Sequence, residues 1–223
     1  MQINYTCVQY SDINLRIADS PKLRGYFGQK YKDNNIMHNH NGDKVMYRYP
    51  LVQYKVIQHG IPTLIGLGDG AELLLNVGVH EHELDIGGIK HDIGSAKIDT
   101  RTEDVGISDD IISYEFETPW LPLSQKNKLA YSAADIIERE DKLKSILIGN
   151  IITFSKGIHY QVPDTIRVSL NVNKIDAKYK GNNMLGFVGS FNCNFVLPDH
   201  IGLGQDVSYG FGTIVKAKKI EGM

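Results

Sequence analysis

Two histidines, His38 and His40, stand one residue apart in the polar stretch GQKYKDNNIMHNHNGDK, residues 28–44. Imidazole titrates near pH 6.5, so around neutrality one ring can accept a proton while another donates one. In an extended backbone an i, i+2 pair points to one side with Cα atoms roughly 6.5–7 Å apart, a spacing that straddles one phosphate. Lys30 and Tyr47 flank the pair. The lysine offers positive charge to a developing oxyanion, and the phenol can orient a reacting oxygen. Tyr26, Tyr31 and Lys44 are reserve candidates in the same region. The H-x-H pattern also suits zinc or another divalent ion. It recurs in HEHE, residues 80–83, where an extended backbone puts His80 and His82 on one face and Glu81 and Glu83 on the other, with His91 and Asp92 close behind. The nearby acids also suit a solvated edge. On these residues alone acid–base catalysis, metal binding and plain solvation all stay open.

The elements that must hold these residues read twice in the same order. INYTCVQY alternates as a strand, and Ser20-Pro21 reads as the N-cap and first turn of a helix over KLRGYFGQKY. That helix is expected to end near residues 33–35, just before the histidines. MYRYPLVQYKVIQ and TLIGL read as strands, GAELLLNV as a helix capped by Asp69 and closed by Gly78, and AKIDTRT as a strand piece. The second half restarts at ISYEFETPWLPL. One long helix is expected over NKLAYSAADIIEREDKLKSILIGNIITFSKG, with Leu129, Ala133, Ile136, Ile137, Leu143, Ile146, Leu147 and Ile151 at helical spacing and Gly157 at its end. Two strands, TIRVSLNVNKIDAKYKG and NMLGFVGSFNCNFVLP, meet at a turn over 180–183, and TIVKAK closes the chain. Each half reads β-α-β-β-(α or loop)-β. The expected class is α+β, with tandem ferredoxin-like (RRM-like) β-α-β-β-α-β domains over 1–106 and 107–223 and a seam near Gly106–Asp110.

Composition narrows the function classes. Of the two cysteines, Cys7 and Cys193, neither has a C-x-x-C partner, which excludes a disulfide framework or a thiolate zinc site and fits a reducing compartment. The first residues lack the pattern of a signal peptide, and LKSILIGNIITF is too short to span a membrane, so a cytoplasmic protein is expected. Net charge is −2, yet its distribution is uneven. Residues 1–60 carry eight Lys/Arg against four acids, 61–150 eight against seventeen, and 151–223 eight against five. Both ends are basic around an acidic middle, and local potential rather than the total steers a phosphate chain.

The remaining motif is GLGQDVSYGFG, residues 202–212, with glycines at 202, 204, 210 and 212. No Gly-Lys-Ser/Thr follows, so it is not a Walker A loop. It precedes the last strand rather than opening a helix, so it is not a dinucleotide fingerprint. Such a run either lays backbone N–H groups bare against a phosphate chain or is a plain connection with turn glycines.

IGLGQDVSYGFGTI resembles the C-terminal glycine-rich signature of the Cas-six family, the CRISPR endoribonucleases that cut precursor CRISPR RNA within its repeats. LRGYFGQKY resembles that family's first helix, YPLVQYKVIQHGIPTLIGLGDGAELL its central strand-strand-helix block, and YEFETPWLPL the start of its second domain. The arrangement of Lys30, His38, His40 and Tyr47 is most similar to the b-type branch of subtype I-B systems. The resemblance implies two ferredoxin-like domains side by side and cleavage that needs no metal or other cofactor, leaving a 5′-hydroxyl and a 2′,3′-cyclic phosphate. It also implies Lys30, His38, His40 and Tyr47 as the catalytic residues; of these, His40 is expected to be the principal catalyst and His38 the second acid or base, with Lys30 and Tyr47 supporting the transition state.

The RNA grip is expected from the glycine-rich loop, through Gly202, Gly204, Ser208, Tyr209, Gly210 and Gly212, and from Arg24, Lys174, Lys178 and Lys180. Lys174, Lys178 and Lys180 share strand parity. Phe187 and Phe191 are expected to pack inward. The expected partner is CRISPR repeat RNA. Effector-complex proteins and a second copy of the chain are further partners that such enzymes allow. Two other readings stand beside this one: an RNA-binding subunit of an effector complex that does not cut, and a metal-dependent hydrolase.

Overall fold

A computed structural model of the chain describes every residue except 39, 42, 43, 46, 47, 58, 180, 181 and 219–223; of residues 38, 40, 41, 44, 45, 125, 126, 179 and 182 it describes the backbone. β1 (Gln2–Gln9) leads into α1 (Ser20–Lys30), the single turn α2 (Asn35–His38), and the two-residue strands β2 (His40–Asn41) and β3 (Lys44–Val45), which pair with each other. Then come β4 (Val52–Ile57), β5 (Ile61–Leu67), α3 (Asp69–His80), a small hairpin of β6 (Glu83–Asp85) and β7 (Lys90–Asp92), and β8 (Lys97–Asp104). The second half runs β9 (Gly106–Trp120), α4 (Gln125–Ala133), α5 (Ile136–Gly157), β10 (Val168–Tyr179), β11 (Asn182–Val196) and β12 (Ile214–Lys216).

The strand orders are β4-β5-β1-β8 and β10-β11-β9-β12, every pairing antiparallel. Numbered within its own sheet, each reads 2-3-1-4, the ferredoxin-like order twice over. The second copy has no α-helix between β11 and β12. The glycine-rich run fills that place, with one 3-10 turn at Val207–Tyr209.

Burial along β4 explains how the halves meet. All six of its residues are buried, although only alternate ones point toward α1 and α3. Val52, Tyr54 and Val56 join Phe27, Leu23 and Leu74 in a core under those helices. Ile65, Leu67, Tyr5 and Tyr49 face the other way and pack with Phe154 of α5 and with Ile201 and Leu203 of the glycine-rich run. The first sheet is therefore covered on both faces, by its own helices and by the second half. Gln53 and Lys55, on that second face of β4, are fully buried.

Four local expectations change. The long helix of the second half breaks at Ala134 and Asp135. The Asp135 carboxylate caps α5 by accepting from Glu138 N at 2.9 Å, and the Glu138 side chain accepts from Asp135 N, a reciprocal box that starts a new helix. Its apolar stripe divides accordingly: Leu143, Leu147 and Ile151 are buried, whereas Leu129, Ile136 and Ile137 are exposed. α1 begins at Ser20 itself, with Asp19 as N-cap, because the Ser20 hydroxyl donates back to Ile17 O at 2.9 Å instead of accepting from the helix. Asp69 likewise lies inside α3, capped by Gly68, and Gly78 lies inside it too, where a Cβ would fall 2.9 Å from Ile98 Cδ1. The absence of a side chain there lets α3 lie close on the sheet. Phe187 and Phe191 do pack inward.

Candidate functional site

α1 connects two regions. At its C-terminal end stands Lys30, in the last turn, where positive charge complements the carbonyl end of the helix. The Lys30 ammonium is ion-paired to Oε1 of Glu81 and also donates to the Tyr26 hydroxyl at 3.2 Å. Tyr26 sits one turn back on the same helix face and donates to Glu81 Oε1 at 2.8 Å or to Glu83 O at 2.7 Å. The Tyr31 hydroxyl points at Glu81 Oε2 from 3.4 Å. Glu81 itself is buried, at 3 % exposure, directly after α3. Partial burial alone would lower the Lys30 pKa; its hydrogen bonds to Glu81 and Tyr26 and the Glu81 charge outweigh that and raise it. Lys30 is therefore a permanent cation at working pH, not a proton shuttle. Burial, then the bond to Glu81, pushes the Tyr26 phenol up to about 12.

α2 packs against α1 and α3 next to this cluster. The Asn34 side chain starts it, accepting from Ile36 N at 3.0 Å and Met37 N at 3.2 Å. Met37 is buried beneath it, and Tyr54 donates to Met37 O at 3.0 Å. His38 thus closes an anchored helical turn and His40 opens β2. This corrects the expectation of an extended pair: with helix on one side and strand on the other, the same-side argument does not apply. The imidazoles of His38 and His40, the Lys44 side chain and the whole of Tyr47 lie outside the described residues, as does Lys180.

HEHE is also not an extended strand. His80 ends α3 with Nδ1 2.8 Å from Asn76 O, Glu81 turns into the protein toward Lys30, His82 is exposed, and Glu83 pairs with Lys90 at 2.9 Å. Among the described residues no three His, Cys, Asp or Glu side chains are grouped to hold a metal ion. Glu81 is the residue that sequence reasoning misplaced, setting it on a solvated edge or a metal shell. No periodicity marks it, because it leaves the helix one residue after the last turn.

At the other end of α1, the half-buried Arg24 donates to the Tyr209 hydroxyl at 2.8 Å, with its guanidinium carbon 4.4 Å from the centre of the ring. This joins the first half to the glycine-rich run. Beside the contact a groove of about 520 Å³ opens between the halves, lined by Ile17, Pro21, Lys178, Tyr209 and Phe211 among others. Ser208 is half-buried next to it. Lys174 lies four residues from Lys178, about 13 Å along the strand, and belongs to a different cleft, its ammonium 5.3 Å from the centre of the Tyr131 ring.

The expectation of bare glycine amides fails at three positions. Gly202 N donates to Gln53 Oε1 at 2.9 Å, Gly210 N to Val207 O at 3.2 Å, and Gly212 N to Pro119 O at 2.8 Å. The Gly202 carbonyl accepts from Tyr49 at 2.8 Å. The run replaces a helix as the cover of the sheet, so its backbone groups must be satisfied internally. Gly204, Gly210 and Gly212 have positive φ, which sets the path of the loop. Gln53 and Tyr49, which pin it from the first half, are a second feature that sequence reasoning missed.

Residues 1–104 match the model of the Cas6b N-terminal domain, and residues 106–217 that of the Cas6b C-terminal domain. A crystal structure of Cas6b superposes with a TM-score of 0.93 at 39% identity, covering 97% of this chain and 100% of that one. A second, of the CRISPR RNA processing endoribonuclease Cas6b, superposes with a TM-score of 0.80 at 35% identity over the same shares. An uncharacterized protein of Methanocaldococcus jannaschii is 33% identical over 149 residues, 66% of this chain and 99% of that protein. With both halves matched in order along nearly the whole sequence, the chain belongs to the Cas6b family.

Proposed function

We propose that this protein is an endoribonuclease that cuts CRISPR precursor RNA within its repeats without a metal ion. The substrate supplies the nucleophile: its 2′-hydroxyl attacks the adjacent phosphorus, the 5′-oxygen leaves in line, and the products carry a 2′,3′-cyclic phosphate and a 5′-hydroxyl. His40 and His38 exchange the two protons, one taking that of the 2′-hydroxyl and the other giving one to the leaving oxygen. Lys30, a fixed cation, stabilises the crowded phosphoryl oxygens, and Tyr47 orients the reacting group. Acid–base help of this kind contributes roughly 10²–10⁴-fold. The observation that carries the reading is a permanently charged Lys30 in the last turn of α1, the helix against which the turn ending in His38 packs, in a chain of this family.

In the same reading the repeat RNA runs along α1 from the catalytic end to the interdomain groove. Arg24, Lys174, Lys178 and Lys180 neutralise phosphates, while Tyr209, Ser208 and Gly204 contact the strand. Gly202, Gly210 and Gly212 hold the shape of the loop. Phosphate contacts give affinity without sequence choice.

The test is cleavage of end-labelled repeat RNA in excess EDTA, beside the same RNA with a 2′-deoxy nucleotide at the scissile position. Cutting that survives EDTA and stops with the deoxy substrate is expected. Cutting abolished by EDTA overturns the metal-free mechanism, and tight binding with no cutting makes the protein a carrier of the RNA instead.

A further inference from the structure

We propose that Glu81 is a positioning residue for catalysis, acting through Lys30: it fixes the ammonium at the end of α1, the helix on which the turn ending in His38 packs. The inference rests on the reading of Lys30 as the cation that meets the phosphoryl oxygens.

Three observations carry it. Glu81 is buried, and among the described side-chain contacts its carboxylate is approached from the end of α1 and its C-cap, by Tyr26, Lys30 and Tyr31. The Lys30 side chain, by contrast, is 44% exposed. A carboxylate enclosed on one side and a half-exposed lysine on the other make a one-sided tether rather than a core ion pair. Second, the ammonium has three protons, and the described contacts use two, on Glu81 Oε1 and the Tyr26 hydroxyl. Among the described contacts the third is left for an incoming oxygen, in a direction fixed by the other two. Third, α2 packs on both helices that make the tether: α1 brings Lys30, and α3 delivers Glu81 at its C-cap, where Glu81 N donates to Val77 O at 3.0 Å. Untethered, a lysine in the last turn of a helix samples many rotamers, and that freedom is lost again each time substrate binds. Holding the charge in advance leaves less to reorganise in the transition state.

A double-mutant cycle separates positioning from mere stability. Repeat RNA is cleaved under single-turnover, saturating conditions by the wild type, Lys30→Met, Glu81→Gln and the double variant, with Kd measured for each. Glu81→Gln is expected to slow cleavage about tenfold with Kd changed less than threefold, and to change the rate less than twofold when Lys30 is already Met. A structural role would slow both backgrounds equally, and that result overturns the proposal, as does a Glu81→Gln variant of wild-type rate beside a slow Lys30→Met. A Lys30→Met variant of wild-type rate overturns the role given to Lys30 and this inference with it. If Glu81→Gln does not fold, Glu81→Asp, which keeps the charge and shortens its reach, is carried through the same cycle with the same expectation.

Discussion

Arg24 and Tyr209 are 185 residues apart in sequence and join by a hydrogen bond of 2.8 Å and a ring contact of 4.4 Å. The pair couples the helix that carries Lys30 to the loop that shapes the interdomain groove. Tyr209 then has two separable parts, a hydroxyl used by Arg24 and a ring that lines the groove. Base stacking on an aromatic ring contributes about 1–3 kcal/mol per base. Tyr209→Ala is expected to weaken repeat RNA binding about tenfold or more, and Tyr209→Phe by less than about threefold, in fluorescence anisotropy at one fixed salt concentration. Equal losses in the two variants would assign the effect to the Arg24 hydrogen bond instead of the ring.

The two histidines have distinct duties in the proposed chemistry, and a leaving-group substitution tells them apart. His40→Ala is expected to lower the single-turnover rate more than about tenfold with little change in Kd. His38→Ala is also expected to slow the reaction. A 5′-bridging sulfur at the scissile linkage departs as a thiolate and needs no proton, so it restores the rate only where the general acid was lost. The variant it rescues identifies the acid, and a fully active His40→Ala discards the assignment.

How much of this was legible beforehand follows from the range of the forces involved. Alternation in INYTCVQY and the helical spacing of Leu143, Leu147 and Ile151 are local patterns, and the strands and α5 they mark are present. The break before α5 was also local: Asp135 and Glu138 have capping-box spacing, but the apolar run across them overrode it. Leu129, Ile136 and Ile137 continued that run and lie exposed. The Asn34 side chain that turns α2 competes with an extended backbone, and the stretch around His38 gives no helical signal because a single turn has too few residues to show a period. Lys30–Glu81, Arg24–Tyr209 and Gln53–Gly202 link residues 51, 185 and 149 positions apart, and no pattern within one segment can reveal them.

Glycines of positive φ in the chain differ in what surrounds them, and the difference sets the size of the effect. A Cβ on Gly212, at φ +61, would lie 1.9 Å from Leu203 O, whereas one on Gly68, at φ +55, would meet no atom of the described residues within 4 Å. A backbone of positive φ in a sparsely populated region by itself costs a side-chain-bearing residue about 1–3 kcal/mol. Gly68→Ala is expected to lose about that much in urea unfolding. Gly212→Ala, which must also push the loop off Leu203, is expected to lose more than about 3 kcal/mol. Similar losses would mean that the loop moves aside at little cost.

Lys55 is fully buried on the face of β4 that meets the second half, and it donates to Thr213 Oγ1 at 3.0 Å. Burial lowers its pKa to about 7, with Glu117 opposing the shift. In the unfolded chain a lysine titrates near 10.4. Between about pH 7 and that value the unfolded state binds more protons than the folded one, so this group makes stability rise with pH across the window. Below pH 7 both states are protonated and the full penalty of the buried ammonium is present. Lys55→Met keeps the bulk and removes the charge. The variant is expected to exceed the wild type by about 1 kcal/mol or more at pH 6, a margin that shrinks as pH rises toward 9. Urea midpoints for both proteins at pH 6, 7.5 and 9 measure it. A separation that stays constant across the three values would show that Lys55 holds its proton in the folded state as firmly as in the unfolded one.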